Sequence, residues 1–155
     1  MASELTVGVV SDTHGLVRPE AVEALRGSDV ILHAGDVGAR HVLQELGELA
    51  PVIAVRGNVD GGWARLLPER RRLDLGGVPV LILHDRGHLG LDPAKEGLVV
   101  VVFGHSHQPL AEKRNGVLWF NPGSAGPRRF RLPVSVGRLV VENGRVRHRL
   151  IALEA

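Results

Sequence analysis

Five short runs of Val, Ile and Leu constrain the fold more than any other feature of this chain. They are Leu5–Val10, Val30–Leu32, Val52–Val55, Val78–Leu83 and Leu98–Phe103. Each is too short for a stable helix and rich in residues that favour strands. The first three and the last lack clean alternation of polar and apolar side chains. Both faces of those strands are therefore expected to be buried, as in a sheet covered by helices. Helical patterns lie between the early runs. One opens at Pro19, a residue suited to a first turn, and stops at Gly27. Another extends from Arg40 to Leu49, with Val42, Leu43, Leu46 and Leu49 on one face, and Pro51 closes it.

The later part of the chain changes character. Arg72–Leu75 and Val78–Leu83 are joined by Gly76-Gly77, and Leu110–Lys113 and Val117–Phe120 by Asn115-Gly116. Val134–Val141 and Val146–Leu153 flank Asn143-Gly144. Such dipeptides supply the positive φ that tight hairpin turns require. A βαβα half followed by antiparallel hairpins, with no internal repeat or linker, points to one α/β domain over residues 1–155, with two sheets and flanking helices.

Composition removes several function classes. There is no cysteine, so neither a disulfide framework nor a thiolate metal site can form. No apolar run approaches the roughly 20 residues that span a bilayer. The start, MASELTVGVV, lacks the basic region and cleavage site of a signal peptide, so a cytoplasmic protein without a membrane partner is expected. Formal net charge is +2, with arginines gathered at Arg70–Arg72, at Arg128, Arg129 and Arg131, and from Arg138 to Arg149. That distribution is compatible with a polyanion, but aromatics are 3% of the chain, so stacking platforms for nucleic acid are scarce. A nucleic-acid partner therefore ranks below a small phosphodiester or nucleotide-derived substrate. A homo-oligomer is compatible with the sequence.

Chemistry-bearing residues fall at the end of every buried run. Ser11-Asp12-Thr13-His14-Gly15 follows the first, His33-Ala34-Gly35-Asp36 the second, and Arg56-Gly57-Asn58-Val59-Asp60 the third. His84-Asp85 and Gly104-His105-Ser106-His107 follow the last two. In an open α/β sheet the strand ends form one crevice, where ligands bind. Carboxylate, imidazole and amide oxygen together suit borderline divalent cations: Mn first, with Fe, Zn or Ni also matching. Gly35, Gly57 and Gly104 allow the tight turns such a site needs.

The ordered series Asp12/His14, Asp36, Asn58/Asp60, His84 and His105/His107 resembles the calcineurin-like metallophosphoesterases. The later Asn-Pro-Gly-Ser, residues 121–124, and the short length resemble its small bacterial phosphodiesterase branch. The resemblance implies a four-layer αββα sandwich of two mixed sheets flanked by helices. It also implies a binuclear centre, with Asp12, His14 and His107 on one metal and Asn58, His84 and His105 on the other. Asp36 would bridge them, and Asp60 would orient neighbours without binding metal.

Two cations about 3.5–4 Å apart would activate a bridging hydroxide to attack phosphorus in line. No side-chain nucleophile is then needed. Ser11, Ser106 and Ser124 lie outside any G-x-S-x-G elbow. Arg128 and Arg129 are candidates for holding the non-reacting part of an anionic substrate, since guanidinium groups bind phosphate bidentately. His33 is expected to hydrogen-bond at its strand end, His88 to lie at the surface, and His41 and His148 to be solvated. Asn121 and Ser124 are expected to shape the loop beneath the metals.

The sequence departs from many relatives at Val59, which stands where they carry a histidine after the Asn. An aliphatic side chain cannot protonate a leaving oxygen, which leaves His33 or His88 as substitutes. The departure keeps open a protein-interaction scaffold of the same fold with a weak metal site; separately, a nuclease acting on nucleic-acid ends is an alternative activity. With all seven ligand types in place, the enzyme ranks ahead of the scaffold.

Overall fold

A computed structural model describes residues 4–129 and 131–154. Phe130, one of the few aromatics and a member of the Arg128–Arg131 cluster, lies outside the described residues. Ten strands form two five-stranded mixed sheets. The first sheet has the order β10-β9-β1-β2-β3, from β1 (Leu5–Val10), β2 (Val30–His33), β3 (Val52–Ala54), β9 (Ser135–Glu142) and β10 (Arg145–Ala152). In the second the order is β4-β5-β6-β8-β7, from β4 (Arg70–Leu75), β5 (Val78–Leu83), β6 (Val100–Val102), β7 (Leu110–Arg114) and β8 (Val117–Asn121). The three expected hairpins are β4/β5, β7/β8 and β9/β10, each antiparallel. Asn115 and Asn143, at the first positions of their turns, take φ of 50° and 54°.

The sheets meet face to face. Val7 and Val9 of β1, Val80 and Ile82 of β5, Val100 and Val102 of β6, and Phe120 of β8 share one buried core. Gly137 of β9 lies so close to the Phe120 ring that a β-carbon would collide with it. Each fully buried side chain of this size contributes about 1.5–3 kcal/mol, so this layer dominates the fold's stability. Helices α1 (Pro19–Leu25) and α2 (Arg40–Gly47) cover the outer face of the first sheet through Ala21, Leu25, Val42 and Leu46. The helix from Pro19 stops two residues before Gly27, whose φ of +82° cannot continue a right-handed helix.

The second sheet has a different cover. Its outer residues Leu81, Leu83, Val101 and Phe103 pack on Leu89 and Leu98. The segment that carries these leucines contains the 3-10 turn Arg86–His88 and, among the described residues, no α-helix. The fourth layer is thus mostly irregular chain. Among the described residues no helix is long and apolar enough to cross a membrane.

Strand direction places the chemistry. β1, β2 and β3 are parallel, with Val10 beside His33 and His33 beside Ala54, so their C-terminal ends are level. β5, β6 and β8 are parallel too, with Ile82 beside Val102 and Val102 beside Phe120. Both sets of ends open on the same edge of the sandwich: His84, after β5, bonds the carbonyl of Ala34, after β2, at 2.8 Å.

Candidate metal centre

Five of the seven expected ligands occupy the left-handed backbone region. Asp12, His14, Asp36, His105 and His107 have φ of 54°, 47°, 54°, 73° and 62°. A side chain there costs of order 1–3 kcal/mol and persists where its surroundings enforce it, most often at functional sites. The enforcement is visible. Asp12 N donates to Gly35 O at 3.0 Å and His14 N to Asp36 O at 3.0 Å, stitching the loops after β1 and β2 together. Gly104 N donates to His84 O at 2.9 Å, which does the same for the loops after β5 and β6.

Five side chains converge between these loops. Asp12 Oδ1 lies 3.4 Å from His107 Nε2, 3.8 Å from His84 Nε2 and 3.9 Å from His14 Nε2. Asp36 Oδ2 lies 3.1 Å from His84 Nε2 and 3.8 Å from His14 Nε2. Asp12 Oδ1, His14 Nε2, His84 Nε2 and His107 Nδ1 are buried and have no hydrogen-bond partner. Leaving such groups unpaired costs about 1–3 kcal/mol each, so a centre that leaves four is built for something else. The donor chemistry fits a divalent cation: Asp12 with His14 and His107 forms one set of mutually close donors, and Asp12 with Asp36 and His84 another.

The charges agree. Burial alone would raise Asp12, but His107, His84 and Ser11 together hold it below the ordinary carboxylate range. The same contest, won by His84 and the Val59 amide, brings Asp36 down to about 2. Burial, joined by His107 and Arg129, lowers His14 more than Asp36 and Asp12 raise it. At His84, burial is outweighed by Asp36 and Asp12, so its pKa rises. Two ionised, buried carboxylates thus demand positive charge at one point, which bound cations also provide.

Neighbouring groups aim the donors. Asp12 Oδ2 accepts from Ser11 Oγ at 2.7 Å and from His105 N at 3.1 Å, which turns Oδ1 into the site. Asp36 Oδ1 accepts from Val59 N at 2.9 Å, freeing Oδ2. The His84 Nδ1–H donates to Ala34 O and leaves the Nε2 lone pair inward, the usual way a ligand imidazole is oriented. Gly57 and Gly104 carry no side chain for a steric reason. A β-carbon on Gly57 would collide with Asp36, and one on Gly104 with Ser11 and Asp12.

The remaining expected residues divide clearly. Asp60 accepts from the backbone N–H groups of Val37, Gly38 and Gly57, tying two loops together. Asn121 holds the Gly104 carbonyl and Ser106 Oγ, and Ser124 Oγ donates to Asp12 O, so both brace the ligand loops. Asn58 lines a cleft beside His84, and the His105 ring packs edge-on against His84 at 5.2 Å. His33 is fully buried, accepting from Gly35 N at Nδ1 and meeting Thr13 Oγ1 at 2.9 Å from Nε2. His41 is exposed and pairs with Glu45. The exposed Arg128 donates to Leu132 O, while the charge of Arg129 acts on His14.

Ser11 as a buttress, Thr13 as the partner of His33, and Asp85 are further residues of the site that stand outside the expected ligand set. Asp85 Oδ2 lies 3.7 Å from His105 Nε2 and 3.9 Å from His88 Nε2. Its position directly after His84 was the available signal. Val59 contributes its backbone amide alone, its side chain being 56% exposed.

Comparison with known proteins assigns the class that this fold and site define. The sequence profile of the calcineurin-like phosphoesterase superfamily domain matches residues 5–144, and the chain belongs to that family. A probable metallophosphoesterase of Methanothermobacter thermautotrophicus is 37% identical over 135 residues, covering 77% of either chain. Phosphodiesterase YfcE of Escherichia coli K12 is 34% identical, over 83% of this chain and 84% of its own. The solved structure of an archaeal phosphodiesterase superposes with a TM-score of 0.79 at 24% identity, covering 95% of this chain and 100% of that one, and shows the same fold. The family is metal-dependent, and hydrolysis of phosphate esters is its chemistry.

Proposed function

We propose that this protein is a binuclear metal-dependent phosphodiesterase, with Mn the preferred ion among Mn, Fe, Zn and Ni. Asp12, His14 and His107 would hold one cation, Asn58, His84 and His105 the other, and Asp36 would serve both. The observation that carries this reading is the convergence of three of the unpaired buried atoms, Asp12 Oδ1, His14 Nε2 and His84 Nε2, about two ionised carboxylates. When bound, the cations supply an activated hydroxide and neutralise charge on the phosphoryl oxygens.

The chain's own residues do the positioning. Ser11 and the His105 amide fix Asp12; Val59 N fixes Asp36; Ala34 O fixes the ring of His84. Holding donors at set geometry before substrate arrives removes reorganisation from the reaction step. Arg129, whose charge reaches His14, and Arg128 beside it are the residues this reading assigns to holding an anionic substrate. A small phosphodiester or nucleotide-derived compound is the substrate class this reading favours. Chelator-stripped protein, reloaded with single divalent ions and assayed against a panel of nucleotide-derived diesters, tests it. Turnover restored by Mn supports the reading, and turnover restored by no ion removes it.

A further inference from the structure

A cleft opens beside the cluster, lined by Arg56, Asn58, Glu69, Arg70, Asp85 and His88. Most of its charged groups are already engaged. Arg56 bonds Glu69 at 2.9 Å and the Arg65 carbonyl at 3.2 Å. Both terminal nitrogens of Arg70 are spent on main-chain carbonyls, Nη1 on Leu89 at 2.9 Å and Nη2 on His88 at 2.7 Å, so Arg70 clamps the turn that carries His88. Asp85 caps the same turn through Gly87 N at 2.8 Å. The backbone at His88 is thus held from both sides, while its ring is 79% exposed. Its Nε2 lies 3.9 Å from Asp85 Oδ2, the same oxygen that lies 3.7 Å from His105 Nε2. One carboxylate oxygen separates the His88 ring from the cluster.

We infer that His88 protonates the leaving oxygen in the phosphodiester hydrolysis proposed above. The inference rests on that functional reading. In the step, a hydroxide derived from water forms the new P–O bond and the bond to the leaving oxygen breaks. The electron pair goes to that oxygen, which takes the proton from His88 Nε2. Products are a phosphomonoester and an alcohol, and neutral His88 regains a proton from solvent. Imidazole is the side chain best matched to proton donation near neutral pH. His33 cannot compete, being fully buried with both ring nitrogens occupied.

His88→Gln tests this, because an exposed ring can be replaced without disturbing the core. Wild type and variant, loaded with Mn to equal metal content, are assayed on aryl and alkyl diesters of graded leaving-group pKa. The variant should lose about 10²–10⁴-fold on the poorest leaving groups and less than about threefold on bis(p-nitrophenyl) phosphate.

A second readout avoids turnover: in Zn-loaded protein, inorganic phosphate should shift the NMR signals of the His88 ring. Equal losses on all esters, or His88 signals indifferent to phosphate, overturn the assignment while leaving the phosphodiesterase reading intact. Wild-type protein that hydrolyses no diester with any divalent ion overturns both.

Discussion

Asp36 Oδ2 lies 3.1 Å from His84 Nε2, while the other oxygen of the same carboxylate accepts from Val59 N at 2.9 Å. One oxygen is anchored and the other is free for the site. Replacing Asp36 with Asn keeps the shape but removes the negative charge and the lone-pair-rich oxygen. Metal content of Asp36→Asn, by elemental analysis, is expected to fall to about one equivalent or fewer, since a ligating carboxylate carries much of a site's affinity. Two full equivalents in that variant would contradict a bridging role.

His33 gives a pH prediction for the metal-free protein. Burial brings its pKa down to about 4, from an ordinary value of 6.5. Between those values the unfolded chain takes up a proton that the folded chain refuses. Stability contributed by neutral His33 is therefore lost as pH falls from 6.5 to 4, by about 3 kcal/mol in all. His84 works in the opposite sense: its raised pKa stabilises the fold at low pH, and that share is lost as pH rises through the folded value. Comparison with His33→Asn isolates the first effect. Urea melts should show wild type losing the larger share of stability between pH 7 and 4, and parallel curves would sink the assignment.

Gly104 is a steric prediction. It sits where a β-carbon would lie 2.7 Å from Asp12 Oδ2 and collide with Ser11 Oγ. Gly104→Ala should cost about 1–3 kcal/mol in denaturant stability, the usual penalty for overpacking, and should also lower metal affinity. Unchanged stability with full metal loading would show that the turn has room to give.

How far the sequence discloses this molecule depends on the range of each interaction. Local signals suffice for the strands: β1 and β5 span the expected residues, and Asn115-Gly116 and Asn143-Gly144 turn where their chemistry requires. The metal donors are legible because each follows a buried run, so strand direction alone gathers them. Other features are matters of approach in space. Nothing in the sequence pairs β1 with β9, more than a hundred residues away, or aims Ser11 at Asp12. The fourth layer is hidden for a related reason. Leu89 and Leu98 cover the second sheet from an irregular segment that has no periodicity to read.

Arg128 and Arg129 separate substrate holding from chemistry. Both are exposed, and Arg129 lies near enough to His14 to oppose its protonation. Replacing both with Gln should raise KM for a nucleotide diester about tenfold more than for a small aryl diester, the size of one lost charge-assisted phosphate contact. Equal effects on the two substrates would assign the pair to the solvated surface.

The central claim is that the strand-end cluster is a metal centre that hydrolyses phosphodiesters, and metal-dependent turnover addresses it most directly. Protein is stripped with chelator, its residual metal is measured, and hydrolysis of bis(p-nitrophenyl) phosphate is followed as Mn is added back. A metal centre gives negligible turnover in the stripped protein and a rise that saturates near two equivalents of Mn. Turnover in the stripped protein equal to that of the Mn-loaded protein, or none with any divalent ion, would contradict it.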